Sequence, residues 1–295
     1  MNKQTGTTKM LEMYRERPDV SKSMALTSFF QTKPEYITNA DSVNIDIERQ
    51  DEDIAPVLRD ISTGANINSA DIYTGKQFKP PAYAEKIPYN VFDLFNVPAG
   101  VTEYENADVS FQAQLANNIM GSWEKLQGLI MRSIELQAAQ VLQTGTLSLP
   151  GKDGITKFTL DYVPKTTHFP TVSTNWSDPT ADALGDLDAL GDVIRNDGLV
   201  DPENVIMGDN SWKGFYKNEE VQKVLDNRRM DVAAFIDPRM QNNGLKFRGE
   251  VKIGTYSYRI FTYNARYNLL DGSAKVRYLD PDKVIMMAGI DDFGF

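Results

Sequence analysis

The stretch Ser110–Gln143, SFQAQLANNIMGSWEKLQGLIMRSIELQAAQVLQ, decides how the chain is read. Its apolar residues Phe111, Leu115, Ile119, Trp123, Leu126, Ile130 and Ile134 recur at steps of three or four, and Leu129, Leu136, Val141 and Leu142 widen the stripe. That is the period of one face of an α-helix. Good helix formers fill the remaining positions, with Gly121 and Gly128 against them. Asp108 or Ser110 is placed to cap the start and Gly145 to stop the end. A helix over 110–143 spans about 50 Å at 1.5 Å per residue, roughly three times the ordinary length. The spacing drifts from a strict heptad and lacks an e/g charge pattern, which argues against a coiled coil. Such a rod organises an elongated domain, and Leu115, Ile119, Trp123, Leu126, Ile130 and Ile134 are expected to form its buried face.

Upstream, Val43, Ile45 and Ile47 alternate with Asn44, Asp46 and Glu48, the period-two pattern of a half-exposed strand. IAPVLRDIS (54–62) is a second extended candidate, and GANINSADIYTG (64–75) has turn chemistry. The returning limb, GKQFKPPAYAEKIPYNVFDL (75–94), carries Pro80, Pro81 and Pro88, which cannot donate to a ladder and suit an edge or an extended arm. It also carries Phe78, Tyr83, Ile87 and Tyr89, too apolar for a solvated linker. An isolated hairpin is marginally stable in water, so this one needs a partner surface. Further upstream, MALTSFF (24–30) is an apolar patch able to pin the amino-terminal segment to something.

Downstream, LSLPGKDGITKFTLDYV (147–163) has the form of a tight hairpin. Within GTLSLPGKD the glycine spacing is one residue too long for a phosphate loop, and Asp153 stands where Ser or Thr is required. An irregular segment (164–179) leads to a helix expected over 180–196, capped by Asp178 and ended by Gly198. NVIMGD (204–209) is a short buried strand. SWKGFYKNEEVQKVLDNRR (211–229) is helical, with Trp212, Phe215 and Tyr216 facing a core. Strands follow at 245–267, hinged at Gly254, and at 275–289. This order of mixed elements gives an α+β class.

Composition narrows function. The 295 residues hold no cysteine and one histidine, His168, so thiolate and multi-histidine metal sites are excluded, and a Ser-His-Asp triad would have to use His168. No run approaches the roughly 18 apolar residues of a membrane span, and no secretory signal is visible. The formal charge of −10 disfavours a phosphate-gripping face. Asp182, Asp186, Asp188 and Asp192 put carboxylates on one helix, which suits acid–base work but more often marks a solvated face. Tyr256, Tyr258, Phe261, Tyr263 and Tyr267, with Lys252, Arg259 and Arg266 interleaved, form an aromatic cluster that is either core or a binding strip. A carboxylate-based hydrolase or glycan-binding protein is the reading these features leave open. No motif specifies a reaction or a cofactor.

IAPVLRDISTG (54–64), GKQFKPPAYAEKIPYN (75–90), the long helix, NVIMGDNSWKGFYKNEEVQKVLDNRR (204–229) and YLDPDKVIMMAGIDDFGF (278–295), in that order, resemble the major capsid proteins of tailed bacteriophages. The likeness is to the capsid E family, which includes the lambda major head protein and has the HK97-like capsid fold. The resemblance implies an N-terminal arm (1–42), an E-loop hairpin (43–90), a P-domain (91–178) with spine helix 110–143, and an A-domain (179–288). Family members usually run some tens of residues further, so residues 289–295 are expected to begin a return toward the P-domain that is cut short.

The implied function is self-assembly as hexamers and pentamers into an icosahedral head enclosing double-stranded DNA without sequence-specific binding. The implied partners are copies of the chain, portal, scaffolding and decoration proteins, with no membrane, no cofactor and no enzymatic activity. The implied location is the virion, with assembly in the host cytoplasm. Phe78, Pro80, Pro81, Tyr83, Ile87 and Tyr89 become candidate intersubunit contacts. Another virion or tail component with a similar arm is the alternative.

Overall fold

The computed structural model describes residues 24–30, 43–47, 74–79, 82–88, 111–151, 154–226, 233–240, 244–270 and 272–289. The chain divides into two compact units, Thr32–Ala84 and Met1–Gln31 with Glu85–Phe295. In the smaller unit, β1 (Val43–Ile47) pairs antiparallel with β2 (Thr74–Phe78), Val43 opposite Phe78 and Ile47 opposite Thr74. The extended candidate at 54–62 and most of the turn-rich stretch after it lie outside the described residues.

In the larger unit the apolar stripe forms α1 (Phe111–Thr144). Gly145 ends it with φ +64°, a left-handed conformation that glycine adopts without penalty. Its N–H reaches Val141 O at 2.8 Å, and a Cβ there would lie 2.4 Å from Pro164 Cγ. The chain then turns directly into β3 (Thr146–Pro150), which pairs antiparallel with β4 (Thr156–Asp161), placing buried Leu147 opposite buried Leu160.

The rest alternates helix and strand: α2 (Ala183–Gly198), β5 (Pro202–Met207), α3 (Asp209–Lys217), α4 (Glu219–Asp226), β6 (Ala233–Met240), β7 (Leu245–Ile253), β8 (Tyr256–Tyr263), β9 (Arg266–Asn268), β10 (Lys275–Arg277) and β11 (Val284–Ala288). Five strands form one sheet in the order β11-β5-β8-β7-β6, in which only β5 and β8 run parallel. Successive side chains of a strand point to opposite faces, so this sheet separates two cores. Val205, Met207, Tyr258 and Ile260 pack with Leu187, Phe215, Val221 and Trp176 on the face carrying the short helices. Ile206, Tyr263, Ile285 and Met287 pack with Ala138 and Ala139 of α1 and with Ala25 and Leu26 on the other. Gly191 permits the close approach of α2 to β8, because a Cβ there would fall 2.3 Å from the Tyr258 hydroxyl.

Several local expectations are corrected. The cap of α2 is Asp182, which accepts from Gly185 N at 2.7 Å, whereas Asp178 closes a turn through Thr180 N and Oγ1. The left-handed residue at its end is Leu199 (φ +56°), not Gly198. The single helix expected over 211–229 breaks at Asn218, which is buried. Its Oδ1 accepts Glu220 N at 2.9 Å to start α4, and its Nδ2 donates to Ala181 O at 2.6 Å. Phe215 is buried and Trp212 half-buried, but Tyr216 is 48% exposed rather than facing a core.

The largest correction concerns α1. Trp123 is 51% exposed, and Ile119, Leu126, Ile130 and Ile134 are only half-buried; Leu115 lies in the helix where no side chain is described. Among the described residues, the positions of α1 that are fully covered are Glu135, Ala138 and Ala139. The helix therefore meets the body of its own chain through its C-terminal half.

Candidate functional site

The four helix aspartates are occupied by structure. Asp182 is the cap already described. Asp186 accepts the Trp176 indole N–H at 2.8 Å, and Asp192 accepts the Tyr256 hydroxyl at 3.1 Å. Asp188 sits against the Gly254 turn, where a Cβ would come within 2.7 Å of its Oδ1. They fix α2 to the segments around it, and no pair of them faces a common cleft as acid and base would.

The aromatic cluster divides between the two faces of the sheet. Tyr258 belongs to one core, with Tyr256 packed against it, and Tyr263 belongs to the other, with Phe261 and Tyr267 packed against it. Burial raises the hydroxyl pKa of Tyr258 and Tyr263 above the ordinary 10.0 and pushes that of Tyr278 up to about 12. Of the interleaved cations, Arg259 pairs with Glu203 at 2.6 Å. The cluster is core, which removes the glycan-binding strip.

His168 lies in a one-turn 3-10 helix, Thr166–His168, and its Nε2 is 3.0 Å from Asp197 Oδ2 near the end of α2. Lys165 Nζ meets the other carboxylate oxygen at 2.5 Å. These hydrogen bonds, that from Lys165 foremost, hold the Asp197 carboxyl below its ordinary value. The arrangement clips an exposed loop to a helix, and no nucleophile is hydrogen-bonded to the imidazole. Among the described residues no group of three or more His, Asp or Glu side chains is placed to hold a metal ion, and no helix is long and apolar enough to cross a membrane.

The surface is more informative than any cleft. Ala82–Lys86 and Pro88 are exposed, with Tyr83 at 40% and Ile87 half-buried. Phe78 ends β2 opposite Val43, while Pro80, Pro81 and Tyr89 lie outside the described residues. Trp123 and Leu129 (42%) are exposed on α1.

One buried group escaped the sequence reading. Glu135 lies within the apolar stripe of α1 and is fully buried. Its Oε1 accepts Leu26 N at 2.8 Å and the Tyr263 hydroxyl at 2.7 Å, and its Oε2 accepts Thr27 N at 2.9 Å and Thr27 Oγ1 at 2.7 Å. Four donors match the lone-pair positions of one carboxylate. The signal in the sequence is a charge directly after Ile134 in the apolar stripe, with Arg132 one turn before it as the ordinary helical partner.

The chain matches the family model for phage major capsid protein E over residues 6–292, and it belongs to that family, which is structural and non-enzymatic. Among solved structures it is similar to a chain assigned as the capsid protein of a prophage (E. coli CFT073), with 13% identity and a TM-score of 0.50. That match covers 95% of this chain and 79% of the other and shows the fold. A phage-related protein from Bordetella bronchiseptica RB50 aligns with 9% identity and a TM-score of 0.35, over 93% of this chain and 74% of that one. No curated protein matches the sequence. Membership implies self-assembly into a capsid and a place in the virion.

Proposed function

We propose that the chain is the major capsid protein of a tailed bacteriophage, assembling as hexamers and pentamers into an icosahedral head around double-stranded DNA. The family match over nearly the whole chain carries this reading. In it the fold is HK97-like: 1–42 is the arm, 43–90 the E-loop, 91–178 the P-domain with α1 as spine, and 179–288 the A-domain. The separate unit Thr32–Ala84, which contains the β1–β2 pair, is consistent with an E-loop.

Identical copies in quasi-equivalent positions stabilise a shell through many modest contacts. The exposed limb at Tyr83 and the exposed stretch of α1 at Trp123 and Leu129 supply apolar surface for them, and Phe78, Pro80, Pro81, Ile87 and Tyr89 are proposed as further contacts from their place in the sequence of the limb. Prolines in the limb stiffen it and block indiscriminate strand pairing. The net charge of −10 suits a wall that encloses DNA without gripping it. Portal, scaffolding and decoration proteins complete the set of partners, and assembly takes place in the host cytoplasm. Negative-stain microscopy of the expressed full chain tests the reading. Closed shells are expected; tubes alone would favour another virion or tail component, and a persistent monomer would contradict shell assembly.

A further inference from the structure

We propose that the buried Glu135 carboxylate is the anchor of the amino-terminal segment, and that seating Leu26 and Thr27 on it is a step of shell assembly separable from folding of the body. The assembly half of this inference rests on the function proposed above; the anchoring half rests on geometry alone.

Among its described residues, 24–30, the regular element is a single 3-10 turn, Thr27–Phe29, whose N-cap residue Leu26 provides no side-chain cap. The first N–H groups of such a turn have no partner within it. Glu135, more than a hundred residues away in sequence, takes the amide N–H of both Leu26 and Thr27 and the Thr27 hydroxyl as well. It acts as an N-cap delivered from another element. The apolar half of the contact puts Ala25 and Leu26 in the cluster that holds Ala138 and Ala139, with Phe29 packed against it. Charge-assisted hydrogen bonds in a dry site are among the stronger ones available to a short segment.

The fourth bond makes the anchor part of the body rather than of the helix alone. The Tyr263 hydroxyl, from the centre of the five-stranded sheet, donates to the same Oε1 that receives Leu26. The sheet thus holds the carboxylate in place before the segment arrives. Three of the four donors belong to Leu26 and Thr27, so the site is filled only when that segment is seated. The proposed function makes residues 1–42 an arm, and a turn fixed at Thr27–Phe29 gives that arm one reproducible point on the body.

The test compares full-length wild type with Glu135→Gln, Thr27→Val and the double variant. Hydrogen exchange of the peptide covering 24–30, thermal melting and the assembled fraction by sedimentation are measured together. Glu135→Gln is expected to speed exchange at 24–30 by roughly tenfold, the loss of about one charge-assisted bond. The body should still melt cooperatively, and the assembled fraction should fall. Thr27→Val removes one donor and should move exchange and assembly in the same direction by less. The double variant should fall short of the sum, because both changes act on one contact. Unchanged exchange in Glu135→Gln overturns the anchor, and faster exchange with undiminished assembly overturns its role in assembly. If Glu135→Gln fails to fold, Thr27→Val decides by the same two readouts. A wild type that never assembles counts against the shell reading, and the exchange data then judge the anchor by itself.

Discussion

The stretches 118–130 and 134–144 of α1 carry one continuous apolar stripe and have opposite surroundings. Toward its C-terminus, Ala138 and Ala139 press against the sheet face that carries Ile206 and Tyr263, and Glu135 is saturated with donors. Gln143 finishes the junction, donating to Tyr278 O at 2.8 Å and accepting Asp280 N at 3.0 Å. Toward the N-terminus, Trp123 and Leu129 are exposed and Ile119, Leu126 and Ile130 half-buried. Ala138 and Ala139 are small, which lets the backbone approach the sheet, while Leu136 and Leu142 pack at the edge of the same core. Periodicity tells that a helix has an apolar face. It does not tell whose surface covers that face.

The contrast can be broken at several points. Ile206→Ala, on the sheet face covered by the C-terminal half, should destabilise the isolated chain by about 2–5 kcal/mol, seen as a lower midpoint in denaturant unfolding. A near-neutral result would mean the junction is loose. Ala139→Leu should cost about 1–3 kcal/mol in the same measurement, because methylenes are forced into a filled contact. Trp123→Ala should change the stability of the isolated chain by less than about 1 kcal/mol yet reduce assembly in sedimentation. A loss of roughly 3–5 kcal/mol would instead mark Trp123 as core, and the two stretches would be alike.

The smallest effect is expected away from the helix. The Asp197 carboxyl is held below its ordinary 3.8 by Lys165 and His168, so the clip contributes stability above the ordinary carboxylate range and loses it as pH falls through the lowered value. Protection of the amides around Thr166–His168, taken relative to intrinsic exchange at each pH, should fall on acidification in wild type, while in Asp197→Asn it should already be low at neutral pH. Equal profiles would show that the clip holds nothing.

Elements dominated by local periodicity and punctuation were legible from sequence. The helix expected over 110–143 is Phe111–Thr144, stopped at Gly145 as expected, and the hairpin at 147–163 and the strands flanking Gly254 are present. What escaped depends on tertiary partners. β6 was not foreseen because Pro238 interrupts AAFIDPRM, and the ladder passes this point with a register shift between Phe235 and Arg239. The break at Asn218 has no glycine or proline to announce it; the side chain works by bonding to Ala181 O, far off in sequence. Asp178 is the cap the sequence offers, and the start of α2 at Ala183 gives that place to Asp182 instead. Glu135 draws no attention in the sequence, because its partners Leu26 and Tyr263 lie more than a hundred residues away on either side. The apolar limb at Tyr83 was read as surface awaiting a partner, and Tyr83 is exposed.

The central claim is that the exposed stretch of α1 around Trp123 and Leu129 is completed by other copies of the chain while the stretch from Glu135 onward is completed by its own. A reconstruction of the assembled particle at side-chain resolution tests it most directly. The account predicts Trp123 and Leu129 buried at contacts between subunits, with Glu135 still bonded to Leu26 and Thr27 of the same chain. Trp123 and Leu129 facing solvent in the finished shell would contradict it.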